Sequence, residues 1–248
     1  MTLNVPAGGC QDLGLDVTEP APITIDDQNL EGPHPLSDRS WTCQLHKEEG
    51  KWALGPLADM KSRKRHGLQG PIDDAFMDSF VFVRPTGEEK RPAVEKWVRS
   101  ESDRAIREWR RQFRGEARVK DDKAITDEDI AGANLVLWGT PESNAVLKRI
   151  ADKLPIQWAE DQIVVGQQKF SVDDHALILI CPNPLNANRY VVLNSGCTYR
   201  EYDYLNNARQ TPKLPDWAVV DLHTPPDARA PGKIAASDFF DEHWQLKK

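Results

Sequence analysis

Hydrophobic and polar positions follow two regimes along the 248-residue chain. Up to about residue 60 the apolar runs are short and broken by Pro, Gly and Asp, with alternating stretches at 23–25, 40–45 and 51–54 that predict strands. Within WTCQLHKEEGKWAL (41–54) a Glu-Glu-Gly turn between two Trp-bearing segments predicts a hairpin. A polar connector at 56–70, with the basic cluster KSRKRHG at 61–67, marks the boundary. The expected organisation is a β-rich segment over 1–60 and a second domain over 61–248.

From residue 71 strands and helices alternate. SFVFVRP (79–85) reads as a strand, and 92–113 is the strongest helical pattern in the chain. On a wheel of about 100° per residue, Val94, Trp97, Val98, Ala105, Ile106, Trp109 and Phe113 share one half, while Arg99, Arg104, Arg107, Arg110, Arg111 and Arg114 share the other. Thr126 and Asp129 have capping-box spacing before a short helix, NLVLWG (134–139) is an apolar strand, and a helix is expected over 143–153. A hairpin at 163–172, strands at 176–181 and 189–194, a helix at 199–208 and a last strand at 217–222 complete the reading. Continuous apolar strands interleaved with helices predict an α/β fold with a mostly parallel sheet and flanking helices.

Composition narrows the classes. With 39% hydrophobic and 29% charged residues the chain reads as a soluble globular protein, and its longest clean apolar run, 176–181, is strand-sized rather than membrane-spanning. A net charge of −7 argues against a surface given over to nucleic acid. Residues 91–120 nevertheless hold ten Arg or Lys against five Asp or Glu. The pairs Glu95 with Arg99 and Asp103 with Arg107 have exposed-helix spacing, so this face reads as solvated or as a docking surface for an acidic neighbour. Cys10, Cys43, Cys181 and Cys197 form no C-x-x-C pair and predict neither a disulfide scaffold nor structural zinc. The opening MTLNVPAGGC lacks a secretory pattern.

No motif names a catalyst. None of the ten serines sits in G-x-S-x-G, and Ser143 in WGTPESNAV reads as a helix cap. The six histidines are scattered, so no metal site is predicted; no phosphate-binding glycine loop is present either, and no cofactor is expected. The aspartate pairs at 26–27, 73–74, 121–122 and 173–174 read as turn chemistry. The most site-like feature is a set of strand-end loops: GTPESN (139–144), CPNPLNAN (181–188) and NSG (194–196). In an open parallel sheet ligands bind beyond the carboxyl ends of strands. Gly139, Thr140, Ser143, Asn144, Asn183, Asn186, Asn194 and Ser195 are the candidate ligand-binding residues, and the four asparagines are expected to line one polar pocket.

The stretches RKRHGLQGPIDDAFMDSFVFVRPTG (63–87), WRRQFRGEARVKDD (109–122), NLVLWGTPESNAVLKRIADKLPI (134–156), CPNPLNANRYVVLNSG (181–196) and YLNNARQTPKLPDWAVVDL (204–222) resemble the C-terminal region of bacterial, planctomycete-type prolyl-oligopeptidase-like serine hydrolases. In that family the catalytic serine lies in a preceding α/β-hydrolase domain of a secreted or envelope-associated chain, and no position here matches its motif. The resemblance implies a non-catalytic accessory region partnered, in cis or in trans, with a serine hydrolase catalytic domain, and a periplasmic or secreted setting. Two alternatives stand beside it. One is a stand-alone domain holding a small polar ligand, such as a sugar, at the Asn-rich loops. The other is a divergent hydrolase using Ser143 or Ser195 with His175 or His223.

Overall fold

A computed structural model describes residues 1–56, 63–159 and 161–247. The chain forms two compact units, Met1–Met60 and Lys61–Lys248. The expected boundary at 60/61, with Lys61 and Ser62 of the basic cluster, lies outside the described residues.

The first unit comprises β1 (Thr2–Val5), a single helical turn α1 (Gly9–Asp12), β2 (Pro22–Ile25), β3 (Gln28–Glu31), β4 (Trp41–Glu48) and β5 (Lys51–Leu54). Strands β1, β4 and β5 make one antiparallel sheet, and β2 with β3 a separate hairpin. Along β4, Trp41, Cys43 and Leu45 point inward and Thr42 and Gln44 outward, the two-residue alternation of a half-exposed sheet. The β4–β5 hairpin turns on Glu49 and Gly50, whose φ angles of 48° and 81° are the positive pair a tight two-residue loop requires.

The second unit contains β6 (Phe80–Arg84), α2 (Pro92–Phe113), β7 (Val119–Asp121), α3 (Asp127–Gly132), β8 (Asn134–Leu137), α4 (Ala145–Ile150), β9 (Gln157–Trp158), β10 (Gln162–Val165), β11 (Gln168–Ser171), β12 (His175–Asn183), β13 (Asn186–Leu193), β14 (Trp217–Asp221) and β15 (Lys233–Asp238). Seven strands form one sheet in the order β15-β14-β12-β13-β8-β6-β7. This corrects the expected mostly parallel sheet. Only β7, β6, β8 and β13 run parallel, while β12, β14 and β15 add antiparallel strands, and the smaller sheets are antiparallel throughout. The reason is connection length: two residues join β12 to β13, and a parallel neighbour needs a crossover of a dozen or more.

Helix α2 spans the expected 92–113, with Pro92 in its first turn and Arg114 ending it at φ 60°. Val94, Trp97, Val98 and Ala105 are buried against the sheet. Arg104, expected on the solvent face, is buried as well, and forms a bidentate pair with Glu201 at 3.0–3.1 Å. Glu101, one turn earlier, holds buried Arg200 at 2.6 and 3.1 Å. Both acid–base pairs tie α2 to the segment after β13. Thr126 and Asp129 form the expected capping box on α3. The helix expected over 143–153 begins later, at Ala145, because Asn144 is its cap, and 199–208 folds as two short 3-10 turns instead of a helix.

Candidate ligand-binding site

The parallel half of the sheet determines where a site forms. From β6 the chain passes through α2 to β7 on one side, then returns through α3 to β8 on the other. Strand progression reverses there, so the connections leaving β6 and β8 diverge and open a crevice at the strands' carboxyl ends. Val83 pairs with Leu137, which sets those two ends level.

A cavity of about 530 Å³ lies at this crevice. Arg84 and Pro85 close β6 on one side of it, and Gly139 and Ser143 follow β8 on the other. The third wall is a stripe of α2, Glu95, Val98, Arg99, Ser102 and Asp103, residues three to four apart and hence on one helical face. The volume falls in the range of about 300–1,000 Å³ typical of small-molecule sites. The two loops are zipped together: Gly87 N–H donates to the Ser143 carbonyl at 2.8 Å, and a Cβ at Gly87 would stand 2.8 Å from that oxygen. Gly139, at φ 106°, would place a Cβ 2.6 Å from Ser143 Oγ. Glycine is therefore required at both positions.

A layer of charge that includes Glu89 of the cavity wall fixes the loops. Glu89, its side chain 5% exposed, accepts hydrogen bonds from Arg91 N–H and Nη1 at 3.3 and 3.0 Å, and from the Thr140 hydroxyl. Arg91 also reaches Glu142 at 3.2 Å and Asp173 at 3.6 Å, so one guanidinium joins the loops after β6 and β8 to the turn before β12. Asp122 accepts from Ala145 N–H at 2.6 Å and holds the start of α4.

Of the eight residues expected at the site, Gly139 and Ser143 line the cavity, and Thr140 stands behind it through Glu89. Asn144 is fully buried as the α4 cap, accepting from Val146 and Leu147 N–H and donating to the Trp138 carbonyl at 2.9 Å. Asn194 sits at φ 52° and clamps strand ends, accepting from Gly139 N–H and donating to the carbonyls of Gly139 and Leu177. Ser195 donates to the Gly196 carbonyl. Asn183 and Asn186 flank the β12–β13 turn at the opposite edge, about 16 Å along β12 from the level of Asn194. The four asparagines thus line no common pocket: two are structural ties at one edge and two lie at the other. Arg84 and Glu88 were not among the expected site residues, although the strand-end rule applied to SFVFVRP points at Arg84; of the two expected helix pairs, Glu95 with Arg99 forms at 2.7 Å, whereas Arg107 turns to Glu108 at 3.0 Å instead of to Asp103.

Neither candidate serine has a catalytic partner among the described residues. The Ser143 hydroxyl accepts from Thr140 N–H at 3.0 Å, and its other neighbours are also atoms of Thr140. His175 Nδ1 contacts Asp174 and the Ser171 carbonyl, and His223 contacts Asp221 and Asp174. Burial pushes the Cys197 thiol up to about 12, with Asp73 adding to the effect, so it is protonated and unreactive near neutrality. No three His, Cys, Asp or Glu side chains among the described residues stand together as metal ligands.

Two other concavities are less equipped. A groove of about 660 Å³ follows Arg107, Arg110, Arg111 and Arg114, where Glu108 and Glu116 already answer three of the arginines. Another of about 460 Å³ lies beside Asn183 and Trp244. No family model, curated protein or solved structure matches the chain.

Proposed function

We propose that the second unit is a binding domain that holds a small polar ligand in the cavity at the carboxyl ends of β6 and β8, without serine-hydrolase chemistry of its own. The observation that carries this reading is the coincidence of a ligand-sized cavity with the point where strand progression reverses. Its polar lining, glycine-tight loops and charge-braced rear wall suit a preformed site rather than a reacting one. A thermal-shift screen of amino acids, dipeptides, sugars and nucleosides is expected to find a stabilising class. Arg99→Trp, which places an indole on the exposed α2 wall, should abolish that shift while leaving the unliganded midpoint unchanged. A shift that persists in this variant, or none with any class, would count against the site.

A second reading keeps the accessory role implied by the resemblance to prolyl-oligopeptidase-like hydrolases. It draws on the exposed arginines of the α2 groove, which suit an acidic neighbour. Charge reversal at Arg110 and Arg114 should release a hydrolase domain supplied as a separate chain; co-purification unaffected by the reversal would remove the support.

A further inference from the structure

We infer that the ligand of the strand-end cavity is a small zwitterion, a free α-amino acid or a dipeptide, a conclusion that rests on the binding reading above. Some charges at the cavity are already answered. Glu95 is paired with Arg99 at 2.7 Å, and Glu89 with Arg91 and Thr140. Three lining side chains are different: Arg84, Glu88 and Asp103 have neither an ion pair nor a hydrogen bond to any described residue.

These three bring both signs to one cavity. Arg84 ends β6, a strand paired on both sides, so its guanidinium is offered at the crevice by rigid backbone, and its planar fork fits a carboxylate bidentately. Asp103 belongs to the α2 wall and Glu88 to the loop after β6, and both offer carboxylates to an ammonium group. A neutral sugar would hydrogen-bond to these groups through its hydroxyls but would neutralise none of their charges. A phosphate-like anion would meet Arg84 but be opposed by two carboxylates, and a simple cation would be opposed by Arg84. A molecule carrying an ammonium and a carboxylate a few bonds apart engages all three, and about 530 Å³ leaves room for a side chain or a second residue.

Isothermal titration of the intact chain with a panel of free α-amino acids and alanyl dipeptides tests this. The best binder is then compared with its N-acetyl and its C-terminal amide forms, each of which removes one charge. Each capped form should bind about ten- to a hundredfold more weakly, the loss of a hydrogen bond to a charged group. Arg84→Met should weaken the parent and the N-acetyl form but not the amide. Asp103→Asn should weaken the parent and the amide but not the N-acetyl form. That crossed pattern is a readout that a fold defect could not produce. Uncapped and capped forms binding alike, or a neutral disaccharide binding at the cavity while no zwitterion does, overturns the inference and leaves the binding reading intact. A cavity that takes no member of any class overturns both.

Discussion

Strands β8 and β12 are both buried, both rich in Leu, Ile and Val, and separated in the sheet by β13 alone, yet they point in opposite directions. In the parallel half, every strand delivers its carboxyl end to the same edge, so Arg84, Gly139 and Asn194 arrive together. In the antiparallel half the ends alternate, and β12 carries Asn183 to the far edge. A chemical site that needs several loops at one place is therefore easier to build on the parallel half, and the antiparallel half serves to cover and extend the core.

If the halves share one core, truncation in either should cost the same. Leu137→Ala in the parallel half and Leu177→Ala in the antiparallel half, both fully buried, should each lose about 2–5 kcal/mol in urea unfolding, with a single transition for the second unit. Separate transitions would split the sheet into two folding units.

The next effect concerns the seam. Asn194→Ala strands the Gly139 N–H and the Gly139 and Leu177 carbonyls in the interior and should cost about 3 kcal/mol. Asn186→Ala, at the far edge with a 2.9 Å bond to the Ile130 carbonyl, should cost about 1 kcal/mol. Equal costs would contradict the assignment of Asn194 as the tie between halves.

Smaller still is the pH effect at Asp73. Burial raises its carboxyl above the ordinary range, against the lowering effect of hydrogen bonds from Thr198. A group that holds its proton more tightly folded than unfolded favours the fold below its unfolded pKa, and that contribution is lost as pH rises through the folded value. Urea melts at about pH 4 and about pH 7 should therefore show the disadvantage of Asp73→Asn shrinking at the higher pH. A disadvantage that grows would reverse the sign. The smallest effect belongs to the site itself: Arg84→Met, at an exposed side chain paired with no described residue, should leave stability within about 0.5 kcal/mol, so that any lost affinity is a loss of contact.

Local signals made much of this legible. The 3.6-residue stripe defines α2 residue for residue, Thr126 and Asp129 define the start of α3, and the Glu-Glu-Gly turn defines the β4–β5 hairpin. What failed depends on partners distant in sequence. Arg104 belongs to the polar half of a wheel, and only Glu201, 97 residues away, explains its burial. Strand direction is invisible in an apolar run, since β8 and β12 read alike. The short loop PNPLNAN nevertheless leaves no room for a crossover, and that length alone forbids a parallel pair and sends Asn183 and Asn186 away from Asn194. β15, whose KIAASD alternates only weakly and lies at the sheet edge, gave no pattern strong enough to mark it.

We place the ligand of this chain in the crevice between β6 and β8. Amide chemical-shift mapping of the isotope-labelled protein, titrated with the same amino acids, dipeptides, sugars and nucleosides, addresses this placement residue by residue. Saturable shifts should concentrate at Gly87, Ser102, Gly139 and Ser143. Shifts concentrated instead at Asn183, Ala187 and Gln245, or along Arg110 to Arg114, would contradict it.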